Sequence, residues 1–189
     1  MKSACIAMIA AAAASSAHAA VLQFDFAGKG GAGLISANEN VATINGTPGT
    51  GGEIGAGITF DDVTRILTIN VGWGSANGFT NLSGNAVAGH LHGPTAAGGT
   101  ASFTQNASVR YGLDNLAGWN NSAVSGGFIG SITINAADVA ALLNGQFYMN
   151  VHTAANGSGE IRGNLVLVPA PGAAAAFGVL GLVGTRRRR

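Results

Sequence analysis

Glycine punctuates this chain so densely that its apolar runs stay short. There are 31 glycines among 189 residues, against a usual share of about 7%. No Gly-X-Y period accompanies them, so a collagen triple helix is excluded. Between the glycines the residues alternate apolar and polar, the period of a strand with one buried face. Leu22–Phe26 alternates in this way, and Ile58–Phe60 and Thr64–Trp73 flank Asp61-Asp62 as a predicted hairpin. In the second arm Leu67, Ile69, Val71 and Trp73 share one face. Further strands are predicted at Val87–His92, Ala101–Phe103, Phe128–Ile134, Phe147–His152 and Ile161–Val168. Gly28–Gly33 and Asn45–Gly57 read as glycine-rich loops, and Asn77-Gly78 and Ser83-Gly84-Asn85 as turns. One helix is predicted, capped by Asn135, with Asp138 in its first turn and Gly145 at its end. The expected fold is all-β, a Greek-key β-sandwich or small barrel with one short helix.

The two ends differ from this body. Residues 1–19 open with Lys2, continue through an apolar run from Ala4 to Ala14 and close on Ala17-His18-Ala19. A positive start, a short apolar stretch and a small-x-small site describe a secretory signal peptide cut after Ala19. Cys5, the single cysteine, falls inside it, so the mature chain is expected to have no disulfide and no thiol chemistry. Residues 169–189 hold Pro169 and Pro171, an apolar stretch from Ala173 to Gly184, and Arg186, Arg187, Arg188 and Arg189. A membrane-spanning helix needs about 20 apolar residues, so this span is short, and the arginines supply a positive-inside stop. This layout resembles the PEP-CTERM sorting signal of Gram-negative bacteria, with Ala170 where that family has Glu. The resemblance implies transient inner-membrane anchoring by the tail, removal of the tail by an exosortase-type enzyme, and delivery to the cell surface or matrix. A plain single-pass anchor is the alternative reading of the same residues.

The middle segment, residues 20–168, reads as one domain. The formal net charge of +1 conceals an asymmetry. Lys2 and the four terminal arginines leave only Lys29, Arg65, Arg110 and Arg162 against eight acids in the body. A mildly acidic body with four scattered cations has no basic stripe for phosphates, which excludes nucleic-acid binding.

The chemistry-bearing residues concentrate in two short motifs. The first is Gly89-His90-Leu91-His92-Gly93-Pro94; the second runs from Tyr148 through Asn150, His152, Thr153, Asn156, Gly159, Glu160, Ile161 and Arg162 to Gly163. His90 and His92 stand two apart on a strand and so share a face, as do Glu160 and Arg162. The two motifs resemble the CHRD domain, named for its occurrence in chordin and found in bacterial exported proteins. The resemblance is strongest over residues 58–167 and rests on Gly93, Pro94, Asn150, Asn156, Glu160 and Arg162 beside the histidines. It implies an all-β extracellular domain with a binding or structural role at the surface or in the matrix. Export machinery, an exosortase-type enzyme and extracellular polysaccharide or matrix protein are the partners it implies.

Two physical readings of the histidines stand side by side. In one, Glu160 and Arg162 pair while the histidines hydrogen-bond carbonyls and fasten the Asn156–Gly159 turn, a network standing in for a disulfide. In the other, His90, His92 and His152 form a zinc or copper site, since both metals favour imidazole, and the alternative function is a metal-binding exported enzyme. No catalytic residue is assigned: there is no Gly-x-Ser-x-Gly elbow and no phosphate loop. Asp61-Asp62 lacks the Asp-x-Asp-x-Asp-Gly string of a calcium loop and reads as a turn. Trp73, Trp119, Tyr111 and Tyr148 are read mainly as buried core rather than as sugar-stacking platforms.

Overall fold

The alternating segments become ten strands: β1 (Val21–Gly28), β2 (Gly31–Ala32), β3 (Leu34–Ile35), β4 (Thr50–Asp61), β5 (Ile66–Trp73), β6 (Ala86–His92), β7 (Val109–Gly112), β8 (Gly126–Thr133), β9 (Tyr148–Thr153) and β10 (Ile161–Leu167). The computed structural model describes residues 20–120 and 123–169. The expected signal peptide with Cys5, the tail beyond Pro169 with Pro171 and Arg186–Arg189, and the short span at 173–184 lie outside the described residues. Among the described residues no helix is long and apolar enough to cross a membrane.

Every pairing is antiparallel. One side of the sheet runs β7-β6-β9-β10; β10 then pairs both β3 and β1, which lead through β4 to β5 and the outermost β8. The sheet curls until its inner faces meet in a single apolar cluster holding Phe24, Phe60, Val71 and Trp73 from one side and Leu91, Met149, Val151 and Leu165 from the other. This is the expected all-β sandwich, with one short helix α1 (Val139–Leu143). In the hairpin of β4 and β5 the predicted parity holds: Leu67, Ile69, Val71 and Trp73 are buried. Its turn is held by Asp61, whose Oδ1 accepts from the amides of Val63 and Thr64 at 2.9 and 2.8 Å.

Several readings of the sequence need correcting. Gly28–Gly33, expected as a loop, holds the last residue of β1 and the two-residue β2. The glycine-rich loop expected at Asn45–Gly57 ends at Gly49, because Thr50–Gly57 is the first two thirds of β4. Glycine there admits close approach: a Cβ on Gly51 would stand 2.5 Å from the Gly72 carbonyl on β5. Within the stretch Glu53 accepts from the Phe26 amide, and the pairing shifts register between Glu53 and Ile58. Ala101–Phe103 is not a strand but part of a 3₁₀ turn over Gly99–Thr104, which carries Ser102 onto the outer face of β10. Strand β7 escaped the alternation test because it is short and mostly exposed. Asn135 makes no side-chain cap. Asp138 instead fastens the helical segment to β7, accepting from Arg110 Nε at 2.7 Å and the Tyr111 hydroxyl at 2.6 Å. Those bonds to Arg110, together with the Tyr111 hydroxyl, hold the Asp138 carboxyl below the usual carboxylate range.

Candidate functional site

Strand register sets the site. His90 lies opposite Asn150 and His92 opposite Tyr148 across β6 and β9; Asn150 lies opposite Arg162 and Tyr148 opposite Asn164 across β9 and β10. With Leu91, Met149, Val151, Ile161 and Leu165 in the apolar core, the intervening side chains all project to the outer face. That face is covered as well. Asn150, Arg162 and Asn164 are buried there, with Ser102 and Glu39 brought over them by connecting segments.

The three histidines expected from sequence converge. His90 Nδ1 and His152 Nε2 are 3.1 Å apart, and one nitrogen from each of His90, His92 and His152 lies within 4.8 Å of the other two. Each ring is held from behind. His92 Nδ1 donates to the Ala107 carbonyl and His152 Nδ1 to the Gly157 carbonyl, both at 2.9 Å. The latter contact fastens the turn between Asn156 and Gly159, as expected. His90 Nε2 stands 3.5 Å from Asp114 Oδ1. Burial holds the pKa values of His92 and His152 below the normal histidine value. His92 lies flat against Tyr148, with centroids 4.8 Å apart and an interplanar angle of 5°. On the Tyr148 ring sits the Arg162 guanidinium, its Cζ 3.4 Å from the centroid.

Glu160 and Arg162 do not pair with each other, which corrects the sequence expectation: the Glu160 carboxyl meets the hydroxyl of Thr153, which has the parity of Met149 and Val151, while Arg162 lies on the outer face over Tyr148. Each instead closes its own shell. Glu160 accepts from the Gly49 amide (2.9 Å), the Ser83 amide and hydroxyl (2.7 and 2.6 Å), the Thr153 hydroxyl (2.7 Å) and Asn156 Nδ2 (3.2 Å). Burial alone would raise its pKa, yet these bonds outweigh burial and hold the carboxyl below its ordinary value. Arg162 donates to Asn106 Oδ1 at 2.9 Å and to the Gln105 carbonyl at 2.8 Å, with longer contacts to Ser102 and Asn164. Asn156 ties the Asn45 backbone in both directions, at 2.7 and 3.1 Å. Two motif glycines are fixed by packing. A side chain on Gly93, at φ +155°, would strike the Phe147 ring, and one on Gly159, at φ +116°, the Glu39 carboxylate. Pro94 follows through a cis peptide bond.

Sequence reasoning missed Glu39 and Asp114, both of which lie in segments without strand periodicity. Burial raises the Glu39 pKa to about 7 despite the nearby Arg162 charge, and its Oε1 has no hydrogen-bond partner. Asp114 follows β7, the strand the alternation test had passed over. Two surface cavities of about 280 and 290 Å³ lie elsewhere, one beside Leu143 and Leu167, the other beside Asn77 and Ile129.

Comparison with known proteins gives one finding: the model of the CHRD domain family matches residues 31–165. The match takes in β2 to β9 and most of β10, and it reaches well before Ile58, where the motif resemblance begins. No curated protein and no solved structure matches the chain.

Proposed function

The chain belongs to the CHRD domain family, and we propose that it is an exported bacterial protein whose β domain binds or structures material at the cell surface or in the extracellular matrix. The observation that carries this reading is how the chain enters and leaves the domain. Strand β1 opens at Val21 and β10 closes at Leu167; they pair side by side with Phe24 opposite Leu167, and the Val168 amide donates to the Gln23 carbonyl at 2.8 Å. The segments 1–19 and 170–189 are therefore attached at one end of the same strand pair. Among the described residues the buried apolar cluster runs from Phe24 to Leu165. A signal peptide and a sorting tail need a domain that holds together without them, since both are cut away. The polar networks around Glu160 and Arg162 suit the same setting, since the body has no cysteine to cross-link.

Fractionation and mass spectrometry in a Gram-negative host carrying an exosortase test the proposal. The expected product begins at Ala20, lacks Arg186–Arg189 and lies outside the inner membrane. A chain retaining Met1 and Arg189 in the cytoplasmic fraction contradicts it.

A further inference from the structure

We propose that His90, His92 and His152 bind one divalent transition-metal ion of the zinc or copper kind, with Asp114 positioning His90 from behind. The inference concerns the ligand of this face and stands whether or not the chain is exported.

Hydrogen-bond polarity carries the argument. A carbonyl oxygen only accepts. His92 Nδ1 and His152 Nδ1, each 2.9 Å from a carbonyl, therefore carry the protons, and both Nε2 atoms present bare lone pairs. On His90 it is Nε2 that faces an acceptor, the Asp114 carboxylate at 3.5 Å, and that Asp114 Oδ1 is buried with no hydrogen-bond partner. The His90 proton placed on Nε2 leaves Nδ1 bare as well. Three lone pairs then point into one small space, two of them 3.1 Å apart. Lone pairs that close repel unless positive charge lies between them, as a metal ion or a shared proton. His92 Nε2 decides between the two. It is buried without a hydrogen-bond partner, and a proton shared by His90 and His152 leaves it so, whereas an ion at the centre engages all three nitrogens.

The donor set defines the class of ion. Three neutral imidazoles suit zinc and copper, while calcium and magnesium take oxygen ligands. A tetrahedral ion bound at about 2.0–2.1 Å spaces its ligand nitrogens by about 3.3 Å, so the closest pair is already at bonding separation. Each ring's second nitrogen faces a carbonyl or a carboxylate, the outer support that metal-bound histidines usually have. Three protein ligands leave a fourth position, and the partly exposed His90 ring, 21% accessible, opens it to solvent.

The test is titration of the full chain, purified without an affinity tag and stripped with a chelator, with Zn²⁺ and Cu²⁺ in separate experiments. One equivalent is expected, abolished in His90→Ala and in His152→Ala. The Cu²⁺ electron paramagnetic resonance spectrum is expected to show coupling to three imidazole nitrogens, a readout on the wild type that does not depend on any variant folding. Asp114→Asn is expected to retain one equivalent but bind about 10–100-fold more weakly, with the melting temperature of the metal-free protein unchanged, an effect a purely structural role would not produce. Binding far below one equivalent, coupling to two nitrogens or fewer, or undiminished affinity in folded His152→Ala overturns the proposal. Such failure leaves the export reading intact, since cleavage at the two ends is measured separately.

Discussion

On their inner face β6, β9 and β10 present Leu91, Met149, Val151, Ile161 and Leu165; on their outer face the same strands present His90, His92, Tyr148, Asn150, His152, Arg162 and Asn164. Most of both sets are buried, but the chemistry of burial differs. The inner face is held by apolar area removed from water, a force without direction that tolerates some change of shape. The outer face is held by directional hydrogen bonds, and a group that loses its mate carries the whole desolvation penalty. Two faces of one sheet thus form two cores. Arg162 in the second also fixes a connecting segment, because Gln105 and Asn106 reach it rather than solvent, and at the start of β10 Glu160 holds Gly49 and Ser83 in the same way.

The comparison breaks most readily at Glu160. Glu160→Ala strands donors from Gly49, Ser83, Thr153 and Asn156 at once, and a loss of about 3–5 kcal/mol is expected, as for breaking a buried charged network. Chemical denaturation measures it; a loss below about 1 kcal/mol, the size of an ordinary surface change, would show the polar network to be ornament rather than core. On the inner face Leu91→Ala, at a fully enclosed position, is expected to cost about 2–5 kcal/mol through lost burial and a residual cavity. Its readout is the same. The two variants should also differ in kind: the cavity at Leu91 leaves the histidine rings in place, while loss of Glu160 frees the turn that holds His152.

Acid–base behaviour adds a second contrast, since the buried carboxyls of Glu160 and Glu39 respond oppositely to pH. Glu160 sits below its ordinary pKa, so its contribution is present above about pH 4.5 and fades as pH falls through the folded value. Glu39 is raised from 4.5 to about 7, so its contribution is full below pH 4.5 and is lost as pH climbs through 7. Arg162, Lys29 and Asn150 favour its ionised form, but burial outweighs them. Between pH 4.5 and 8 the loss from Glu39 is on the order of 3 kcal/mol. Glu39→Gln should remove that slope, so its stability relative to wild type should rise across this window; parallel curves would contradict the assignment. The smallest effect is expected on the exposed side of β5, where Thr68→Ala removes a 2.9 Å contact with Ser131. A change within about 0.5 kcal/mol is expected in the melting curve.

The inner core was legible from sequence because alternation is a local signal: Leu67 to Trp73 read correctly residue by residue. The same rule placed His90 with His92. It could not say that the outer face is covered, because the cover comes from aperiodic segments far away in sequence. Glu160 and the Ser83 hydroxyl that meets it are 77 residues apart, and Arg162 and Asn106 are 56 apart. Pairing Glu160 with Arg162 was the natural guess from adjacency; partners brought in by long connections won, and no periodicity records them. Glycine misled in the opposite direction. Its density at Thr50–Gly57 reads as loop, but there it lets β4 lie close against β5. Convergence of the three rings follows from register: Ala88 opposite His152 and His90 opposite Asn150 set the histidines diagonally across β6 and β9.

Amide hydrogen exchange tests most directly whether the polar network is a core. The amides of Gly49 and Ser83 lie in connecting segments, and both donate to Glu160. If the polar network folds and unfolds with the apolar cluster, both amides exchange only through global opening, with the same free energy as the Met149 amide within β9. If instead they exchange by local opening, orders of magnitude faster than Met149, the segments are a loose covering and the second core does not exist.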